Sequence, residues 1–373
     1  MSGLQRIIVQ VPAIGLASVA LAFVASPARA EDDAWNRQIA ADIRELTGAR
    51  TRIVWLQDAG EDPSPWGGGP AMRIMGFDTD DGKGIRPIFR EPSDYSWPYL
   101  TPDGEGIAFN KVKMGPPIER HVMYANWDGT GVREVTTKAW LVAVGADPKT
   151  GFTWLYCLAE APGDKLVAKR FWLDDPSVSE IVWDKSAGPG RMTVSPDGKM
   201  AAGVYAGTGG SPCGVYDLPN IAYHNVGIGC EPAMLPCASP YRMFLFSGDH
   251  RSGAIFTNPE NPDKITRQPI SFENAPATRG RYQVQYPQWS NNVRFMVLAA
   301  PFAYVKNDEG IPFPDEGMQG KYKRYYDNVE ISIGRLDKNL TRIEKWIQVT
   351  NNKRGDYLPE AWIRPGSRNK PVN

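Results

Sequence analysis

The stretch "RMTVSPDGKMAAGVY" (191–205) reads as strand, corner, strand: a short apolar run, Ser-Pro-Asp-Gly, and a second apolar run. Proline presets φ at the first corner position, and Asp and Gly tolerate the left-handed backbone that closes a tight hairpin. The same order recurs in "SWPYLTPDGEGIAFN" (96–110). Looser copies follow in "WLVAVGADPKTGFTWLYC" (140–157), "CEPAMLPCASPYRMFLF" (230–246) and "YPQWSNNVRFMVLAA" (286–300). Anchored on Pro102, Pro148, Pro196, Pro236 and Asn291, the hairpins are spaced by 46, 48, 40 and 55 residues.

A third and often a fourth strand follows each hairpin, most plainly in "HVMYANWDGTGVREVT" (121–136). The segments "LVAKRFWLDDPSVSEIVWD" (166–184) and "DNVEISIGRLDKNLTRIEKWIQVT" (327–350) behave in the same way. Four strands per unit at a period of about 40 to 50 residues is the pattern of propeller blades. The two ends of the chain complete the count. "DYLPEAWI" (356–363) resembles a first strand with nothing after it, and "TRIVWLQD" (51–58) opens a unit that lacks its first strand. Paired, they make one blade and remove two exposed sheet edges. The expected fold is all-β: a six-bladed propeller over 51–373, with four-stranded blades and a ring closed by the N- and C-terminal strands.

Ahead of the ring, Arg6, an apolar run from Val11 to Ala25 and the small-residue pattern Ala28-Arg29-Ala30 have the order of a secretory signal over residues 1–30. The run is shorter than the roughly 20 residues a spanning helix needs. The expected address is therefore the periplasm or the exterior, with no membrane span after cleavage. A short helix is expected over 31–50, with Trp35, Ile39, Ile43 and Leu46 on one face and Gly48 as its stop. A long insertion, 301–326, extends the sixth blade and is a candidate for function.

These residues also resemble a family. "YLTPDGEGIAFN" followed by "VMYANWDGTGVREVT" is similar to the repeat of TolB-type, WD-like propellers, where the turn and its Asp-Gly hairpin recur blade after blade. "NVGIGCEP" (225–232), "SGDHRSGAIF" (247–256), "YPQWSNNVRF" (286–295) and "VTNNKRGDYLPEAW" (349–362) extend the likeness to exported bacterial propellers of that group. The resemblance implies the fold and leaves the activity open, because propellers host many chemistries. TolB itself carries an additional N-terminal α/β domain, for which the residues ahead of Thr51 leave no room.

Charge narrows the function. The chain has 42 basic and 42 acidic residues, and removing 1–30 takes away Arg6 and Arg29 for a balance of −2. Without a basic run there is no footprint for nucleic acid. A serine nucleophile elbow is missing, and so is a Gly-rich phosphate loop followed by Lys. "DTDDGKG" (78–84) imitates a calcium loop, but Gly82 stands at the fifth ligand position and Phe89 at the twelfth. It reads as a hairpin turn, and no metal or other cofactor is expected. "ADPKTGFTW" (146–154) resembles the Asp-box turn of sialidase-type propellers, but its Asp and Gly stand too far apart.

The channel mouth remains. Counting five residues back from each turn anchor gives Trp97, Ala143, Arg191, Glu231, Tyr286 and Leu358. Trp97, Arg191, Glu231 and Tyr286 are the side-chain mixture of a binding site. His250 and Arg251 join them as a candidate pair at the end of the second strand of blade five. In an oxidising compartment Cys213 and Cys230, which can approach across a blade junction, are the expected disulfide, with Cys230–Cys237 as the competing pairing and Cys157 a buried thiol. The sequence thus predicts a monomeric, non-catalytic binder of a protein or glycan ligand. The competing reading is a carbohydrate-active hydrolase or lyase that uses mouth carboxylates such as Glu231.

Overall fold

A computed structural model describes residues 27–60, 70–113, 118–161, 165–185, 192–205, 212–272, 274–276, 283–302, 329–352 and 354–366. The described strands form six antiparallel sheets of four strands each, the six expected blades. Blade 1 orders Asp356–Ile363, Thr51–Asp58, Met72–Asp78 and Arg86–Pro87. Blades 2 to 5 begin with Tyr95–Leu100, Ala139–Ala146, Thr193–Val194 and Cys230–Ala238, and blade 6 with Gln283–Trp289. These first strands, together with Asp356–Ile363, touch one another in a closed circle and line the central channel.

The ring closes as the chain ends predict. Asp356–Ile363 runs antiparallel to Thr51–Asp58 in a ladder from Thr51 opposite Ile363 to Gln57 opposite Asp356. Arg52 fastens the same seam. Its guanidinium lies 5.0 Å from the Trp127 ring of blade 2 and 5.9 Å from the Trp362 ring of the closing strand, while its Nε donates to Asp78 at 2.8 Å. Arg50 donates to the same carboxylate through Nη2 at 2.7 Å. Burial opposes ionisation of Asp78, but the hydrogen bonds from Arg50 and Arg52 outweigh it and hold the carboxyl below its usual range.

The repeated corner owes its shape to a hydroxyl and an aspartate. In blade 2 the Gly106 amide donates to Thr101 Oγ1 at 2.8 Å, and the Glu105 amide donates to Asp103 Oδ1 at 2.9 Å. In blade 4 Met200 and Ser195 repeat the first bond at 2.9 Å, and Lys199 and Asp197 the second at 3.2 Å. Gly104 and Gly198 take φ of 76° and 70°, where a side chain would be strained. Blade 5 differs. Pro236, its expected corner, lies inside the first strand, and the turn comes at Ser239-Pro240, between Ala238 and Tyr241. A second irregularity, between Met234 and Ala238, absorbs the extra length. The "DTDDGKG" segment is a hairpin turn, with Gly82 and Gly84 both at φ 66°.

The helix spans Pro27–Thr47, beginning ahead of the expected 31–50, and stops at Gly48, whose φ is 71° and whose amide donates to the Arg44 carbonyl at 2.8 Å. Ile39, Ile43 and Leu46 are buried in the largest core cluster. Each such side chain contributes about 1.5–3 kcal/mol by leaving water. Trp35 Nε1 donates to the Val349 carbonyl at 3.3 Å, so the helix lies against strands of blades 1 and 6, beside the seam. Among the described residues no helix is long and apolar enough to cross a membrane. The expected signal falls mostly on residues 1–26, and the insertion from residue 303 onward; both lie outside the described residues.

Candidate functional site

Four expected mouth positions share one unusual backbone. Trp97, Glu231, Tyr286 and Leu358 have φ of 48°, 48°, 53° and 52°. Each precedes a proline: Pro98, Pro232, Pro287 and Pro359. Each also sits where the ladder to the second strand slips, between Ser96 and Tyr99, Cys230 and Ala233, Gln285 and Gln288, and opposite Val54–Leu56. This is a β-bulge repeated in four blades, a device that re-aims one side chain out of the ladder. A left-handed backbone costs a non-glycine residue on the order of 1–3 kcal/mol, and such strain collects at functional sites.

The bulges bring three of these residues together. The Trp97 and Tyr286 rings, from blades 2 and 6, meet edge to face with centroids 6.4 Å apart. Leu358, from the intervening blade 1, is buried in the same cluster. Tyr286 is 5% exposed, whereas Trp97 is only partly buried. Ala143 is not part of this group: it is buried among Tyr156, Trp183 and Met192. Arg191 lies outside the described residues.

Glu231 holds the equivalent bulge in blade 5, next to Cys230. Here the structure shows a group that sequence reading missed. Cys230 Sγ lies 3.3 Å from His250 Nε2, and the Gln285 side-chain amide lies 2.5 Å from Nδ1 of the same ring. His250 is thus held between the inner strands of blades 5 and 6, with the Phe246 ring 4.9 Å away. Burial pushes the imidazole below its usual range, against the pull of Gln285 and Asp249. Burial, and then the Glu231 charge, push the Cys230 thiol up. Arg251 has no part in this group: it is exposed in a turn where its amide donates to Asp249 Oδ1 at 3.0 Å and its carbonyl accepts from Phe272. The pattern was recoverable in one respect, since Cys230 and Gln285 immediately precede the mouth residues Glu231 and Tyr286.

All four cysteines are thiols. Cys213 Sγ donates to the Gly229 carbonyl at 3.3 Å, so it flanks the peptide that leads into Cys230. Burial, and then the nearby Cys230, push its thiol up to about 11. Cys230 and Cys237 lie at opposite ends of one extended strand. At about 3.3 Å per residue their Cα atoms stand roughly 20 Å apart, far beyond the about 7 Å that a disulfide spans. Cys157 is buried, and burial pushes its thiol up.

A second buried group flanks the closing strand. Asp356 accepts from Trp55 Nε1 at 2.9 Å, Gln57 Nε2 at 3.1 Å and Asn352 Nδ2 at 2.7 Å. The Asn352 backbone N–H donates to Glu330 Oε1 at 2.7 Å, so one asparagine joins two acids. Burial raises Glu330 to about 8, assisted by the Asp356 charge, and raises Asp356 to about 6 against its hydrogen bonds. Among the described residues no group of three or more His, Cys, Asp or Glu side chains is placed to hold a metal ion.

No protein-family model matches the chain, and no curated protein matches it by sequence. Solved structures do match it in shape. TolB from Acinetobacter baumannii superposes with a TM-score of 0.55 at 13% identity, covering 88% of this chain and 72% of that one. Hydrazine synthase from Kuenenia stuttgartiensis superposes with a TM-score of 0.50 at 12% identity, covering 88% of this chain and 48% of that one. At such identities the likeness is one of fold, and the fold is that of a TolB-like six-bladed propeller.

Proposed function

We propose that this propeller is an exported binding protein of the periplasm or the exterior, which captures a protein or glycan ligand at the channel mouth without chemical change. The observation that carries the reading is the repeated bulge. Four blades spend strain at the same wall position, and two of them use it to set Trp97 against Tyr286. A partly exposed indole braced by a buried ring is a rigid platform for a sugar face or a peptide plane. Glu231, on the equivalent bulge of blade 5, supplies a polar contact, and Arg191 is its proposed counterpart in blade 4. Export is supported by the signal pattern of residues 1–30, whose cleavage residues Ala28, Arg29 and Ala30 fall in the first turn of the helix. Probing a glycan array, with capture from an envelope extract in parallel, tests the reading. A retained ligand lost on Trp97→Ala supports it. Ligand retention that ignores Trp97 refutes it.

One observation favours the hydrolase or lyase reading. The Glu231 charge acts on Cys230, whose thiol meets the His250 imidazole, so a carboxylate and an imidazole flank one inner-strand position of blade 5. Release of new reducing ends from a polysaccharide panel, abolished by Glu231→Gln, is the result that would establish it.

A further inference from the structure

We propose that Cys230 is the reactive thiol of this protein, that it exchanges with small-molecule disulfides, and that Cys213 resolves the product into a Cys213–Cys230 bridge. The geometry assigns the roles. Cys230 is half-buried at the start of an inner strand, and its sulfur faces His250 Nε2 at 3.3 Å. Gln285 holds the other ring nitrogen from the next blade. A side-chain amide can donate to Nδ1 or accept from it, so Gln285 fixes the ring in either tautomer. As placed, the Gln285 NH2 donates to Nδ1 and leaves the ring proton on Nε2; with the amide turned so that its oxygen accepts from Nδ1–H, Nε2 becomes the acceptor for the Cys230 S–H. A thiol, an imidazole and an orienting amide in hydrogen-bond sequence are the arrangement that activates a sulfur nucleophile.

Cys213 is placed differently. It is fully buried, and its sulfur donates to the carbonyl of Gly229. Burial keeps it from leading the attack, but it lies one peptide from Cys230. Cys237, at the far end of the same strand, is out of reach.

The exchange balances in two steps. Cys230 gives its proton to His250 Nε2, and the sulfur attacks a disulfide RSSR to form a mixed disulfide and expel RS⁻. Cys213 then loses its proton and attacks the Cys230 sulfur, forming the intrachain bridge and expelling a second RS⁻. The two expelled thiolates leave as RSH with the two protons. One disulfide is reduced and one is formed. Attack depends on the thiolate. Burial and Glu231 disfavour that form, and His250 offsets them by taking the proton as the bond forms. The charged groups facing this centre are Glu231 beside Cys230 and Asp249 beside His250.

The test uses the reduced full chain with glutathione disulfide, sampled over a pH series and mapped by mass. The expected first adduct is on Cys230, followed by a crosslink of the Cys213 and Cys230 peptides. Cys213→Ser halts the reaction at the Cys230 adduct, and Cys230→Ser leaves Cys213 unmodified over the same time. His250→Asn keeps a residue that tolerates the positive φ of 54° at that position while removing the base. It slows the first step roughly tenfold or more near neutral pH and gives Cys230 the pH profile of an ordinary thiol. Gln285→Ala moves rate and profile in the same direction. A first adduct on Cys213 or Cys237 overturns the proposal. So does a parent protein whose Cys230 does not react, or a rate and pH profile that His250→Asn and Gln285→Ala both leave unmoved.

Discussion

The Trp97 ring stands edge-on to Tyr286, 6.4 Å between centroids, although the two residues come from different blades and each precedes a proline in left-handed backbone. The strain is not needed to close the ring, since blade 3 slips its ladder between Leu141 and Ala143 with no left-handed residue and fills the place with buried Val142 and Ala143. The pair is therefore the feature to remove first. Trp97→Ala is expected to weaken ligand capture by about 1–4 kcal/mol, the usual cost of truncation at a binding centre. Adding Tyr286→Ala abolishes capture, but Tyr286 is buried, so that change also costs about 3–5 kcal/mol of stability. The single mutant carries the reading: a titration in which Trp97→Ala binds like the parent makes the mouth structural and turns attention to residues 301–326.

Ring closure depends on the last strand. Deleting residues 356–373 removes the partner of Thr51–Asp58 and the Trp362 ring that covers Arg52. It also uncovers a strand edge lined by Ile53, Trp55 and Leu56, all now fully buried. Exposed apolar edges template aggregation. The truncated protein is expected to aggregate, or to melt far below the parent. Size-exclusion chromatography with a melting curve decides it: a monomer with the parent's transition would be incompatible with this closure.

The ring was legible in the sequence because its signals are local. A Pro-Asp-Gly corner needs only its own four residues, and the Thr101 and Ser195 hydroxyls that close it are one position away. Where the corner chemistry degenerates, position fails: Pro236 has the look of a corner, but the turn falls at Ser239-Pro240. Glu231 nevertheless lands on the wall, because the Pro after it marks the bulge independently of the corner. The buried groups were not legible. Cys230, His250 and Gln285 meet across two blades, and Asp356 meets Trp55 across the seam. Nothing in the spacing of such residues specifies which side chains the curvature of the ring will bring to hydrogen-bond distance.

The seam also rests on one carboxylate. Asp78 is buried and satisfies both Arg50 and Arg52. Asp78→Ala leaves the Arg52 guanidinium buried against Trp127 with its nearest buried counter-charge gone; Glu105, its other acidic contact at 3.1 Å, is exposed. Removing one partner of a buried ion pair costs about 3–5 kcal/mol. Chemical denaturation should show a loss of that order. A loss under about 1 kcal/mol, the range of exposed pairs, would mean that water screens this cluster.

Glu330 and Asp356 give the seam a pH dependence of definite sign. Burial raises them to about 8 and about 6 in the folded protein. In the unfolded chain both titrate near pH 4. Between roughly pH 4 and 8 the folded state therefore holds protons that the unfolded chain has lost, and stability must fall as pH rises through that window. Below it both states are protonated and the contribution is fully present; above it the carboxylates are ionised in both states and the contribution is gone. At about 1.4 kcal/mol for each pH unit between the folded and unfolded titrations, Glu330 alone represents on the order of 5 kcal/mol. Glu330→Gln keeps the shape and an acceptor for the Asn352 amide, which now donates at 2.7 Å, but cannot ionise. Melting curves of parent and variant at pH 5, 6.5 and 8 should diverge, with the variant gaining on the parent as pH rises. Parallel curves across the series would show that Glu330 is not held protonated by its burial.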